Sequence, residues 1–120
     1  MAVQTILVVD DSPTERHFLS TLLVKHGYRV ELAENGKDGI EMARKLQPDL
    51  IIMDVIMPDL NGFQATRTIT KAEDTKHIPV ILCTTKDQET DKIWGFRQGA
   101  VNYIIKPVDK EALLKIIRSL

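Results

Sequence analysis

Thr5-Ile6-Leu7-Val8-Val9-Asp10-Asp11-Ser12-Pro13-Thr14-Glu15 is the stretch that decides the fold. Its first five residues are β-branched or apolar without a polar alternation, and too few for a helix. They read as a strand buried on both faces. A helix start follows at once: Ser12 is placed to cap, Pro13 suits the first turn, and Glu15 is predicted to complete a capping box. Phe18, Leu19, Leu22 and Leu23 supply the apolar face of that helix, and Gly27 its stop. The unit is therefore strand, acidic joint, helix.

The same alternation recurs outward from this unit. Tyr28–Ala33 alternates apolar and polar residues as a strand nearer a sheet edge does, whereas Leu50–Met53 and Val80–Cys83 are fully apolar. Val101–Ile105 is a weaker fifth strand. Gly39, Ile40, Ala43 and Leu46 mark a second helix ending before Pro48, and Asn61 is placed to cap a third with Phe63, Thr66 and Ile69 inward. A fourth helix spans 87–98 and stops at Gly99. The last starts at Asp109, with Leu113, Ile116, Ile117 and Leu120 inward. Strands alternating with helices of this length predict a parallel sheet covered on both faces. Five such units fall short of the eight of a closed barrel. The expected fold is α/β, a (βα)5 open doubly wound sheet.

Composition sets the wider limits. Hydrophobic residues make up 43% and charged residues 28% of 120, enough for one core, so intrinsic disorder is excluded. A net charge of −1 lacks the basic excess of a nucleic-acid or polybasic membrane binder. No run approaches the ~20 apolar residues of a membrane span. The N-terminus does not read as a signal peptide. A single cysteine, Cys83, leaves no internal disulfide or cysteine metal cluster. A cytoplasmic location is expected.

In open parallel sheets, ligands bind at the carboxyl ends of the strands, where the strand order reverses. There the first strand ends in Asp10-Asp11, the third in Asp54, the fourth in Thr84-Thr85 and the fifth in Lys106-Pro107. Asp11 taken alone reads equally well as a solvated loop residue. Asp54 does not, because it sits between Leu50-Ile51-Ile52-Met53 and Val55-Ile56-Met57, where a lone charge is costly. Carboxylates at ~4 Å repel by roughly 4 kcal/mol at an effective dielectric near 20, so this group calls for a cation. Oxygen-only ligands favour a hard ion, and a site completed by water suits Mg²⁺ better than Ca²⁺. A metal, a lysine and a hydroxyl around one carboxylate can move a phosphoryl group onto it.

Other chemistries fit less well. The turn after the first strand lacks the glycines of a dinucleotide or Walker A loop, and its carboxylates would repel a pyrophosphate. His17, His26 and His77 read as solvated surface, and no nucleophile–histidine arrangement is suggested.

Val8-Val9-Asp10-Asp11-Ser12, Asp49-Leu50-Ile51-Ile52-Met53-Asp54, Met57-Pro58-Asp59-Leu60-Asn61-Gly62, Pro79-Val80-Ile81-Leu82-Cys83-Thr84 and Lys106-Pro107, in that order, resemble the receiver domain of bacterial response regulators. The resemblance implies a CheY-like fold with strand order 2-1-3-4-5, and residues 1–120 forming one receiver domain without an output domain. It implies that a sensor histidine kinase donates phosphate to Asp54, and that Asp10, Asp11, Asp54 and the Ile56 backbone carbonyl bind Mg²⁺. Lys106 would hold the phosphoryl group, with a cis bond to Pro107. Thr84 would bond to it on activation, and Tyr103 would change rotamer in response. Ser12-Pro13-Thr14-Glu15, 60–67, 84–92, Trp94-Gly95 and 97–100 further resemble single-domain regulators of type IV pilus twitching motility.

These implications describe a monomeric switch, catalysing only its own phosphorylation and dephosphorylation. It would be read by a downstream protein or serve as a phosphate sink for a sister regulator. The alternatives are an aspartyl-phosphate phosphatase, which would place its nucleophile after the first strand, and a phosphorylation-independent pseudo-receiver. Ile56 and Lys86 are expected to flank the phosphoryl site. If Ile93, Gly95-Phe96 and Gly99 form the inner face of the fourth helix, Trp94 points outward or sits at its rim. It then reads either as a partner contact or as packing on a neighbour. Lys92, Arg97, Lys110, Lys115 and Arg118 make the last two helices locally basic, which suits an acidic or amphipathic partner peptide or simply solvated charge.

Overall fold

The protein is described by a computed structural model over residues 2–120. Strands and helices alternate as β1 (Thr5–Val9), α1 (Pro13–Lys25), β2 (Arg29–Ala33), α2 (Gly36–Leu46), β3 (Leu50–Met53), α3 (Gly62–Lys71), β4 (Val80–Thr84), α4 (Glu89–Arg97), β5 (Asn102–Ile105) and α5 (Lys110–Arg118). All strand pairings are parallel, in the order β2-β1-β3-β4-β5. The chain steps out to β2 and returns past β1 to β3, so the strand order reverses beside β1. That is where a ligand crevice opens in such sheets.

Alternate residues of the apolar strands face opposite layers. Leu7, Val9, Ile51, Met53, Val80 and Leu82 pack with Ala43, Phe63, Ala65 and Ile69 on the α2–α3 side. Ile6, Val8, Leu50, Ile52, Ile81 and Cys83 pack with Leu19, Leu22, Leu23, Leu113, Leu114 and Ile117 of α1 and α5. Burial on both faces is why these runs carry no polar alternation. The edge strand β2, half-exposed, shows it.

Helix ends follow the local chemistry. Ser12 caps α1 by accepting from the Glu15 amide at 3.3 Å. Asn61 and Gln64 form a reciprocal capping box on α3, and Asp109 caps α5. Gly27 and Gly99 lie at φ 92° and 106°, conformations that favour glycine.

Several expectations need correction. The capping box predicted at Glu15 does not form, because the Ser12 amide is taken by Asp10 Oδ1 at 2.9 Å. α4 begins at Glu89 rather than at 87, with the Asp91 carboxylate accepting from the Gln88 amide. The apolar stripe on α4 is not its inner face: Ile93 and Phe96 are 47% and 49% exposed, while Gly95 is buried. A Cβ at Gly95 would lie 2.8 Å from Leu82 Cδ1 and 3.0 Å from the Tyr103 ring. The helix thus approaches the sheet through a missing side chain, and its large apolar groups turn outward. Leu46 and Leu120, expected inward, are exposed because they lie at or beyond the last turn of their helices.

Candidate functional site

Strand register places the chemistry. Val9 pairs with Met53, so Asp10 and Asp54 leave adjacent strands side by side; the Asp54 amide donates to the Val9 carbonyl at 2.9 Å. Thr84 pairs with Ile105, and the Lys106 amide donates to the Thr84 carbonyl at 2.9 Å. Asp10, Asp11, Asp54, Thr84 and Lys106 therefore converge on one edge of the sheet.

The Lys106 side chain is 9% exposed, and its ammonium donates to Asp10 Oδ2 at 2.8 Å. The same nitrogen lies 3.6 Å from Asp54 Oδ2 and 3.9 Å from Glu15 Oε2. Asp54 Oδ1 accepts from the Val55 amide at 2.8 Å and the Ile56 amide at 3.4 Å. Asp10 and Asp54 are buried and Asp11 is exposed. One carboxylate oxygen from each of Asp10, Asp11 and Asp54 lies within 4.8 Å of the others.

The electrostatics follow from this crowding. Burial raises the pKa of Asp54; Lys106 pulls it down, Asp10 pushes it up again, and the net direction is upward. Burial pulls Lys106 down, but the Asp10 hydrogen bond and the surrounding carboxylates raise it above 10.5 overall. The contribution of Lys106 to stability is thus present below pH 10.5 and lost as pH rises through its higher folded value.

For Asp54 a raised folded pKa means that its ionised form costs stability at neutral pH, a cost recovered as pH falls through that value. Asp54→Asn removes the charge at nearly constant shape. In metal-free buffer at pH 7 it is expected to stabilise the fold by about 1 kcal/mol. A rise of roughly 4 °C in melting temperature would show this.

Thr84 is buried, and its Oγ1 accepts weakly from the Lys86 amide at 3.4 Å. Tyr103 is buried with its hydroxyl donating to the Lys86 carbonyl at 2.8 Å. Burial first, then Asp91 and Asp54, push its pKa up to about 12, so it stays a protonated donor. The Lys86 ammonium, expected beside the site, pairs with Asp91 at 3.6 Å. Ile56 leaves its side chain 54% exposed next to Asp54. The peptide bond between Lys106 and Pro107 is cis. Cys83 is buried, and desolvation holds its thiol neutral at a pKa of about 12.

Trp94 is 50% exposed on α4. Arg97 is exposed and Lys92 half-buried on the same helix. His17, His26 and His77 are exposed, as expected.

Three contributors escaped sequence reasoning. Glu15 approaches Lys106 from the first turn of α1. Arg16 donates to the Asp10 carbonyl at 2.7 Å and to Glu34 at 3.2 Å, tying the end of β1 to the loop after β2. Gly62 lies against the loop after β3: a Cβ there would sit 2.0 Å from the Asp54 carbonyl oxygen. The available signal was position, since Glu15 and Arg16 fall one helical turn beyond Asp11 and Ser12.

The donor set fits a hard divalent cation. It is all oxygen, tightly grouped, and more negative than one ammonium can balance.

Comparison with known proteins agrees. Residues 6–118 match the family model of the response regulator receiver domain. Protein PilH of Pseudomonas aeruginosa PAO1 is 60% identical over 114 residues, covering 95% of this chain and 94% of that protein. The transcriptional regulator RpaA of Synechocystis is 40% identical over 96% of this chain, which spans only 48% of that relative. Among solved structures, Vibrio cholerae chemotaxis protein CheY4 superposes with a TM-score of 0.91 at 34% identity, covering 98% of each chain. The receiver domain of the P. aeruginosa sensor histidine kinase PA1611, which holds a magnesium ion in its active-site cleft, gives a TM-score of 0.89 at 31% identity, covering 98% of this chain and 97% of that one. With its fold, its acidic strand-end site and its residues 6–118 all in agreement, this chain belongs to the response regulator receiver domains of two-component systems.

Proposed function

We propose that Asp54 is the phosphoacceptor of this receiver, taking a phosphoryl group from a sensor histidine kinase and passing the change on through protein contacts. The observation that carries this reading is a buried carboxylate held 3.6 Å from a buried ammonium, beside two further carboxylates. A carboxylate oxygen of Asp54 attacks phosphorus, the phosphorus–nitrogen bond of the kinase phosphohistidine breaks, and the imidazole leaves with the electron pair. The product is an acyl phosphate on Asp54. Lys106 offers its ammonium to the phosphoryl oxygens, exchanging part of its contact with Asp10. Thr84 then donates its hydroxyl to the same group, which carries roughly two negative charges and extra acceptor oxygens.

Mg²⁺ suits the Asp10, Asp11 and Asp54 carboxylates, with the Ile56 carbonyl as the further protein ligand. When bound it would neutralise charge building on the phosphoryl oxygens. Movement of Thr84 toward the phosphoryl group releases the space beside it and draws on the Lys86–Tyr103 link, so Tyr103 is the relay toward α4. There Ile93, Trp94 and Phe96 expose apolar surface, as does Val101 just before β5, with Lys92 and Arg97 supplying positive charge. This supports a partner face for a downstream protein, or for a sister regulator if the chain drains phosphate. Control of type IV pilus twitching motility in the cytoplasm is the process we assign, supported by the surface segments quoted above and by the identity with PilH.

Incubation with acetyl phosphate, followed by intact mass, tests this reading. One phosphoryl group is expected with Mg²⁺, none with a chelator, and none in Asp54→Asn. A modified Asp54→Asn protein, or unmodified wild type, would sink it.

Ile56 gives a second outcome. Its bulk beside Asp54 hinders water from reaching phosphorus on the side opposite the Asp54 oxygen. Ile56→Asn, smaller in apolar bulk and able to orient water, is expected to shorten the acyl-phosphate half-life roughly threefold, equivalent to about 0.7 kcal/mol of barrier. An equal or longer half-life would contradict this.

A further inference from the structure

Glu15 has no part in the functions assigned so far. Its carboxylate does not close a capping box, since Asp10 Oδ1 already holds the Ser12 amide. It lies 3.9 Å from the Lys106 ammonium with its side chain 34% exposed, at the rim of the site. Lys106 does not need it for placement, because Asp10 holds that ammonium at 2.8 Å. Arg16 does not offset it, being engaged with Glu34 and the Asp10 carbonyl. The site therefore sets three carboxylates, Asp10, Asp54 and Glu15, around the Lys106 ammonium, with Asp11 beside Asp10 and Asp54.

We propose that Glu15 is a specificity-determining residue of this site, whose charge favours a divalent cation and disfavours strongly anionic small phosphodonors. The proposal rests on the reading of Asp54 as phosphoacceptor. A carboxylate at the rim attracts the cation, and it repels an incoming phosphoryl donor and competes with that donor for Lys106. Its effects on the two ligands thus have opposite signs. A structural role would damage both together. The residue would discriminate against free dianionic donors, leaving the site to a donor whose protein contacts overcome that repulsion.

Glu15→Gln tests this, since the amide keeps the shape and removes the charge. Mg²⁺ alone is titrated by calorimetry and by thermal shift. Phosphorylation at saturating Mg²⁺ is followed with acetyl phosphate, a dianion at neutral pH, and with phosphoramidate, a monoanion. In each case the Asp54 oxygen forms the new bond to phosphorus; acetate leaves in the first, and ammonia, once protonated, in the second.

The variant is expected to bind Mg²⁺ about threefold more weakly, and to react with acetyl phosphate about threefold faster, as befits a partly exposed charge. The gain with phosphoramidate should be smaller, and both differences should shrink as salt rises toward about 0.5 M. Glu15→Asp, retaining the charge, should stay near wild type. Losses in both Mg²⁺ affinity and rate, equal gains with the two donors, persistence at high salt, or no change would each overturn the proposal. If wild type itself gains no phosphoryl group, it is the reading of Asp54 that fails.

Discussion

Gly62→Ala is expected to lower stability by roughly 3 kcal/mol, among the largest single-residue effects available outside the core. The cause is steric and local. The added Cβ would fall 2.0 Å from the Asp54 carbonyl oxygen and 2.7 Å from both the Asp54 carbonyl carbon and Val55 Cα. All three are backbone atoms, so no rotamer change relieves the clash. The Gly62 amide also donates to the Val55 carbonyl at 2.9 Å, which pins the first turn of α3 to the loop after β3. Relief requires α3 to withdraw from that loop, and the loop carries Asp54. Urea denaturation reads the stability, and a melting temperature lower by about 10 °C is the corresponding thermal result. Variants that do fold should also accept phosphate more slowly. A stability within 1 kcal/mol of wild type would show that the loop yields freely, contrary to the packing seen here.

Lys106→Met removes the ammonium that sits among the site carboxylates while preserving much of the aliphatic stem. Asp10 and Asp54 are 2% and 7% exposed, so each is left as a buried charge facing another. Removing one partner from such an arrangement costs about 3 kcal/mol, chiefly through the uncompensated charge that remains. That loss is expected in metal-free buffer at pH 7. Two remedies distinguish charge from packing. Mg²⁺ should restore part of the loss, and its stabilising effect should exceed that in wild type, where the ammonium competes for Asp10 and Asp54. Acid should also help. Without Lys106 the already raised Asp54 pKa moves further up, so the cost of its ionised form is recovered as pH falls through it. Insensitivity to both Mg²⁺ and acid would assign the loss to packing instead.

The sheet was legible because burial on both faces leaves apolar runs such as Leu50–Met53 with no competing interpretation. The site was legible for a related reason: Asp54 follows such a run, where an unpartnered charge is improbable on energetic grounds alone. Helix α4 was not legible. Apolar residues at helical spacing ordinarily mark a buried face, but here Gly95 makes the approach and Ile93 and Phe96 face outward. Glu15 shows a second limit. The local pattern from Ser12 to Glu15 satisfies the capping-box rule, yet the amide it would cap is claimed by Asp10, and its charged neighbour is Lys106 from the far end of the chain. Local pattern cannot reveal which of two acceptors wins an amide when both lie within a few residues. Gly62 entered the sequence reading only as the end of the Met57–Gly62 segment, because the backbone it touches depends on how α3 returns to β3.

Asp54, among the neighbouring carboxylates Asp10, Asp11 and Glu15, is the residue we assign the phosphoryl group. Borohydride reduction of the acetyl-phosphate-treated protein, followed by digestion and tandem mass spectrometry, tests this most directly, because an aspartyl phosphate is reduced to homoserine where it stood. Homoserine at position 54 alone, dependent on Mg²⁺, is the expected result. Homoserine at position 10 or 11, a reduced acyl phosphate at Glu15, or no reduction product would contradict the account.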